Sequence, residues 1–211
     1  MATVAHTVAI RTDPEVDTPR RILDAAFERV AAVGLSRTTV EDVARGARLS
    51  RQTVYRYFGS KDLLVTALVL REEERFLDGA REAFAREPDL ASALEGAILF
   101  CLRYAREHPL LDRLLATDSE TFLPYLTTRA APVIDRATEV VRRQVTSKGW
   151  VRVDLVDATV DMLVRMMVSH AITPSPRQPE AVARELAAIA TLAFTGGDIR
   201  TTPRRTERTA R

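Results

Sequence analysis

The stretch SRQTVYRYFGSKDLL, residues 50–64, holds Arg51, Arg56 and Lys61, with Tyr55 and Tyr57 between them and no acid before Asp62. Counted from Arg45, five cations (Arg45, Arg48, Arg51, Arg56, Lys61) fall within 17 residues that contain no carboxylate. A local basic window on a chain of net charge +2 points to a localised anionic partner. The residue types suit nucleic acid. Gln52 can bond adenine bidentately, Arg51 can bond guanine, and the Thr53 methyl can touch thymine. Tyrosine hydroxyls, Lys61 and helix N-termini suit phosphates. The bland alternative is a solvated charged face, with Tyr57 packing beside Phe58 in a core.

Enzyme chemistry finds less support. His6, His108 and His170 stand far apart, and Cys101 lies in the core-like run AILFCLRY without a histidine nearby. There is no glycine-rich phosphate loop, no His-x-x-x-His and no cysteine pair. The expectation is a chain with no catalytic residues, metal or cofactor, in which Cys101 is buried and inert.

The elements that must position residues 50–64 read as helices. Thr39 can cap TTVEDVARGA, with Glu41 and Asp42 favourable in its first turn. A tight turn around Ala47–Leu49 leads to Ser50, which can cap a short helix from Arg51 to Tyr57, stopped by Gly59. Val40, Val43, Ala44, Leu49, Val54 and Phe58 fall on the inner faces. That leaves Arg51, Gln52, Thr53, Tyr55, Arg56 and Tyr57 around the outer side of a helix too short to bury much of itself. A helix-turn-helix gives such a helix a purpose, since its second helix enters the major groove. Ahead of it, TPRRILDAAFERVAAVG has Thr18 as cap, Pro19 in the first turn, and a 3.6-period stripe ending at Gly34. After it, Ser60 opens a long helix to about Glu87. Helical segments then follow, broken by Pro88, Pro109, Pro124 and Pro132, to a last helix stopped by Gly196 and Gly197. No alternating strand pattern occurs, so the fold class is all-α.

The 46% apolar and 28% charged residues describe an ordinary globular protein, and 211 residues suffice for one large or two small domains. No apolar run reaches 18 residues, the N-terminal stretch lacks the pattern of a secretory signal, and a single cysteine fits a reducing compartment. A cytoplasmic location is expected.

TTVEDVARGARLSRQTVYRYFGSKDLL resembles the DNA-binding signature of TetR-type bacterial transcriptional regulators, and RRILDAAFERVAAVGLSRTT resembles their first helix. The match spans roughly residues 20–65 without a gap and includes Tyr55–Phe58 and Ser60–Leu63. The resemblance implies an all-helical homodimer that binds a palindromic DNA operator and usually represses. Carried over by position, Thr39, Lys61, Tyr55 and Tyr57 look like phosphate contacts, and Arg51, Gln52 and Thr53 like base readers or their neighbours. Ser50 and Arg56 complete the candidate surface. Arg48 stands where the family usually has glycine. Either the turn is reshaped, with help from Gly46, or Arg48 gains a phosphate contact that offsets a strain of roughly 1 kcal/mol.

Local pattern and the resemblance together divide the chain. Residues 1–18 read as a disordered arm, 19–65 as the DNA-binding domain with its motif at about 39–58, 66–197 as a helical effector-binding and dimerisation domain, and 198–211 as a disordered basic tail. Two helices, 154–172 and 180–195, are more apolar than a small domain's surface needs. Val156, Val160, Leu163, Val164 and Met167 form one stripe and Val182, Leu186, Ile189 and Ala190 another. One face of each helix can fill the chain's own core, but Val168, Ala171, Leu192 and Phe194 extend the apolar width. The surplus suggests an interface between two copies that includes the stripes. The family further implies a small-molecule pocket. Candidate lining residues are Phe100, Tyr104, Leu114, Phe122, Tyr125, Met162, Met166 and His170, and the scarcity of charge among them favours a fatty acyl or aromatic effector. The connector from Ser60 to Glu87 would act as a lever that sets the spacing of two reading helices, about 34–36 Å on successive major grooves. Two other readings stay open: a nonspecific architectural DNA binder, suggested by the basic tail, and a helical module that docks an acidic protein.

Overall fold

Ten helices and no strand make up the described residues of the computed structural model, which are 14–128, 130–151 and 156–196. They are α1 (Pro14–Val33), α2 (Val40–Gly46), α3 (Arg51–Phe58), α4 (Lys61–Ala85), α5 (Leu90–Glu107), α6 (Pro109–Thr117), α7 (Ser119–Leu126), α8 (Ala131–Ser147), α9 (Val156–Ile172) and α10 (Pro179–Thr195). The chain is all-α. Most of the arm and the whole basic tail lie outside the described residues.

The first helix begins at Pro14, a turn earlier than its sequence signals suggest. Proline suits a first helical position, because its missing N–H has no partner there anyway. Two prolines compete for that role, and the structure gives it to Pro14. Pro19 then lies within the helix and removes one rung of the ladder. Thr18 is buried rather than a cap. α7 is a second departure: Pro124 reads as a break but lies inside an eight-residue helix.

The molecule divides into two compact units. One comprises the described residues up to Arg75 together with Glu107–Pro124; the other comprises Phe76–Arg106 and the described residues from Tyr125 onward. The first core joins Ile22, Ala26 and Val30 of α1, Val40, Val43 and Ala44 of α2, Val54 of α3, Leu64 and Leu68 of α4, and Leu110 and Leu114 of α6. The boundary expected at residue 65 therefore moves. Residues 66–75 and 107–124 pack with the N-terminal helices because Leu68, Leu110 and Leu114 are buried there. The second core is built by α5, α8, α9, α10 and the end of α4, with Phe194, Val160, Ala183 and Val145 fully buried.

Val156, Val160, Leu163, Val164 and Val182, expected at an interface between copies, lie in this second core, each less than 8% exposed. Met167 and Leu186 pack against it, and Ala190 and Phe194 are part of it. An apolar stripe at helical spacing says that a face is covered, not which body covers it, and here the chain's own helices do so. Of the expected interface, Ile189 remains outside, 56% exposed, beside Leu192 at 58% on the same helix.

Candidate nucleic-acid interface

α2 and α3 owe their geometry to their caps. Thr39 and Asp42 form a capping box: the Asp42 N–H donates to Thr39 Oγ1 at 3.1 Å, and the Thr39 N–H donates to Asp42 Oδ2 at 3.3 Å. The Thr39 hydroxyl donates to the same carboxylate at 2.7 Å, and these bonds hold the Asp42 carboxyl below the usual carboxylate range. The Thr39 N–H is thus already engaged within the chain. Ser50 caps α3 by accepting the Thr53 N–H at 3.0 Å, and its hydroxyl also meets Thr53 Oγ1 at 2.9 Å.

The turn between the two helices is a Schellman motif. The Leu49 N–H donates to the Ala44 carbonyl at 2.9 Å, and the Arg48 N–H to the Arg45 carbonyl at 3.1 Å. The motif needs a left-handed residue after the cap, and Arg48 takes it with φ 54°. Gly46 does not reshape the turn. It closes α2, and a Cβ there would stand 3.2 Å from that of Ala25 on α1. Arg48 is exposed and carries the strain that a glycine would avoid. Arg21 of α1 supports the turn by donating to the Ala47 carbonyl at 2.8 Å.

α3 buries Val54 alone, 1% exposed, and turns its other side outward. Arg51, Gln52, Tyr55 and Arg56 are exposed, as are Ser50 and Thr39, while Thr53 is half-buried. Tyr55 and Arg51 lie one turn apart and touch: the guanidinium donates to the Tyr55 hydroxyl at 3.2 Å. Tyr57 is half-buried against the first core with Arg56 over its ring at 5.3 Å, so it both packs and borders the surface. Lys61 is not a free cation. Its ammonium donates to the Leu35 carbonyl at 3.1 Å. Two of the expected residues, Thr39 and Lys61, are thus tied into the framework of the first unit. Sequence reasoning missed Arg21, Arg113 and Asp118, which hold this framework from elements far away in the chain and left no local spacing signal.

The expected ligand residues are divided between the two units. Leu114 is a buried member of the first core and Phe122 packs against it, so neither shares a unit with the others. Met162 is 39% exposed, Met166 and His170 are half-buried, and the Tyr125 side chain lies outside the described residues. Phe100 and Tyr104 do meet, with ring centroids 5.6 Å apart, and Phe76 joins them at 6.2 Å and 5.2 Å. The Phe100 ring lies on the bare backbone of Gly79, where a methyl group would overlap it. Cys101 is half-buried rather than fully buried, and its thiol is pushed up to about 12 by desolvation, which keeps it protonated at neutral pH. Among the described residues no helix is long and apolar enough to cross a membrane.

A short helix held outward by capped turns, presenting cations, an amide and a tyrosine on an acid-free face, defines a helix-turn-helix DNA-binding protein. Comparison with known proteins gives the particular lineage. Residues 22–68 match the model of bacterial regulatory proteins of the tetR family, and residues 89–191 match the bacterial tetracyclin repressor C-terminal domain. The HTH-type transcriptional regulator AlkX of Mycobacterium tuberculosis is 30% identical over 201 residues, covering 90% of this chain and 94% of that protein. The crystal structure of the TetR family repressor AlkX from Dietzia sp. strain DQ12-45-1b, implicated in biodegradation of n-alkanes, is 29% identical, with a TM-score of 0.66 over 87% of this chain and 96% of that one. The fatty acid degradation regulator FadR from Bacillus halodurans shares the fold, with a TM-score of 0.59, 17% identity, and coverage of 90% of this chain and 98% of that one. The chain belongs to the TetR family and is a helix-turn-helix transcriptional regulator.

Proposed function

We propose that this regulator is a cytoplasmic repressor that binds a two-fold symmetric operator as a homodimer and is released by a small lipophilic effector. The observation that carries the DNA reading is the outward face of α3, where Arg51, Gln52, Tyr55 and Arg56 are exposed and no carboxylate intervenes. Arg51 and Gln52 stand at the start of the helix, where recognition helices meet base edges. A dimer is supported by Ile189 and Leu192, large apolar side chains left uncovered on α10.

The effector reading draws on two supports. Phe76, Phe100 and Tyr104 form an aromatic cluster on a glycine in the second unit, a surface suited to apolar ligands. A relative of similar sequence is implicated in n-alkane biodegradation. A fatty acyl compound, an alkane or an aromatic compound would fit such a wall. No cofactor is called for.

Selection of bound duplexes from a random pool tests the proposal. A palindromic winner with half-sites about one helical turn apart is the expected result. Enrichment of no sequence over the pool would leave only nonspecific binding and overturn it. Fatty acyl, alkane and aromatic compounds are then screened for release of the selected duplex.

A further inference from the structure

The turn that joins α1 to the helix-turn-helix is gripped from outside the N-terminal helices. α1 ends at Gly34, φ 88°, whose N–H donates to the Val30 carbonyl at 2.8 Å. Five residues later the chain enters the Thr39 cap of α2. Between these points lie the consecutive N–H groups of Leu35 and Ser36. They donate to the two oxygens of Asp118, Leu35 to Oδ2 at 2.8 Å and Ser36 to Oδ1 at 2.9 Å. Asp118 follows α6 directly and is 7% exposed. The Thr117 hydroxyl donates to Oδ2 at 2.8 Å.

Other groups close the grip. Lys61 of α4 donates to the Leu35 carbonyl, so that one peptide unit on each side of Leu35 is held by a charged side chain. Arg113 of α6 donates through Nε to the Ala31 carbonyl at 3.1 Å in the last turn of α1. The Thr38 hydroxyl donates to the Gly34 carbonyl at 2.7 Å. Gly34 admits no substitute: a Cβ there would stand 2.7 Å from Asp118 Oδ2 and 2.7 Å from Thr117 Oγ1, at a φ that L side chains rarely adopt. A buried carboxylate is costly unless it is fully hydrogen-bonded, and two backbone N–H groups with a hydroxyl meet that demand here.

We propose that Asp118 is a positioning residue for DNA recognition, its carboxylate acting with Lys61 as a clasp that fixes the 34–36 turn and so the placement of α2 and α3. The clasp touches no DNA. It rests on the reading of the α3 face as the DNA-reading surface. It also reassigns Lys61, which its position in the motif would make a phosphate contact. The clasp residue sits in a segment that joins the first unit only between Glu107 and Pro124, with the chain running into the second unit at both ends.

The test uses the full chain and the selected operator. Asp118→Asn keeps the size of the side chain but sets an amide NH2 against one of the two N–H donors. Expected is a tenfold or larger loss of operator affinity, with unchanged affinity for random duplex and an unchanged slope of log affinity against log salt. A Leu94→Ala control in the second core, destabilised to a similar degree, keeps its operator affinity. Lys61→Met loses operator affinity too, again at unchanged slope, whereas a phosphate contact would lower the slope by about 1. A folded Asp118→Asn protein that binds the operator as the wild type does overturns the clasp, as does a reduced slope in Lys61→Met. Should Asp118→Asn fail to fold, Lys61→Met decides alone. A wild-type protein that selects no duplex would instead sink the reading of α3, a separate failure.

Discussion

The Arg51 guanidinium lies 5.3 Å from the centroid of the Tyr55 ring and donates to the Tyr55 hydroxyl at 3.2 Å. Both residues are exposed, so the pair adds little to stability. Its effect is order. A long cation that would sample many rotamers is laid along one turn of α3. Ordering in advance lowers the entropic cost of meeting a base edge.

Arg51→Ala should therefore weaken operator binding by about 1–3 kcal/mol and relax preference at one base pair of each half-site. Tyr55→Phe keeps the ring and loses the hydroxyl, and should cost less. Competition binding against single-base operator variants checks both. The melting temperature should stay unchanged in either variant.

Arg48 holds a left-handed conformation inside a Schellman motif, a place made for glycine. Arg48→Gly should raise stability by about 1 kcal/mol, read by urea unfolding. If the exposed guanidinium meets a phosphate, the same substitution lowers operator affinity and reduces the salt slope by about 1. A more stable protein that binds less well is the expected outcome.

Acid should loosen the first unit in two steps. Burial pushes His108 down from its usual range despite the nearby Glu72 carboxylate. A histidine whose folded pKa is depressed favours the native state above about pH 6.5 and withdraws that contribution as the pH falls toward its folded value. For Asp118, burial alone would raise the pKa, but the N–H groups of Ser36 and Leu35 and the Thr117 hydroxyl outweigh it, and the carboxyl is lowered. Its contribution is present above about pH 4 and is lost as the pH falls through the lowered folded pKa. Urea unfolding at a series of pH values should show both limbs. His108→Gln should flatten the upper limb and Asp118→Asn the lower.

The face of α3 was legible because everything that shapes it is local. Ser50 as cap, Val54 and Phe58 one turn apart, and Gly59 as stop all lie within ten residues, and the outward set follows from helical spacing. What depends on distant partners was not legible. Val160 and Ile189 both read as apolar stripe positions, yet one is fully buried by the chain's own helices and the other is uncovered. Leu110 and Leu114 signal an amphipathic helix but not which core receives it. Asp118 meets residues 82 and 83 positions away, and nothing in the local pattern separates it from a solvated aspartate. The Leu35 carbonyl that Lys61 bonds lies 26 positions away and is equally invisible to local spacing, whereas its motif position predicts a phosphate contact.

The aromatic cluster depends on a missing methyl group, because the Phe100 ring occupies the space that a Cβ on residue 79 would take. Gly79→Ala would drive a Cβ into the Phe100 ring, so the ring must swing away from α4. The alanine gains about 1 kcal/mol of helix propensity, but the displaced aromatic contacts outweigh it, and the net change should be destabilising. Phe100→Leu in the same chain should recover part of the loss, because the shorter side chain vacates the space. Near-ultraviolet circular dichroism and thermal unfolding of the two single variants and the double variant measure the coupling. Two effects that simply add would show that the ring and the glycine are independent.

The exposed pair on α10 allows the proposed interface to be tested apart from the core. Ile189 and Leu192 lie three residues apart on one face, 56% and 58% exposed, while Val160 on α9 is 0% exposed. Ile189→Asp places a charge where the single chain has only solvent, so the monomer keeps its fold. If two copies meet on this face, the charge is buried in the dimer without a partner, and association weakens by several kcal/mol. Sedimentation should then report a folded monomer that binds the operator poorly, since two half-sites no longer share one protein. Val160→Asp puts the same charge into the second core and should unfold the chain outright. An Ile189→Asp protein that sediments as the wild type does would place the dimer contact elsewhere on the surface.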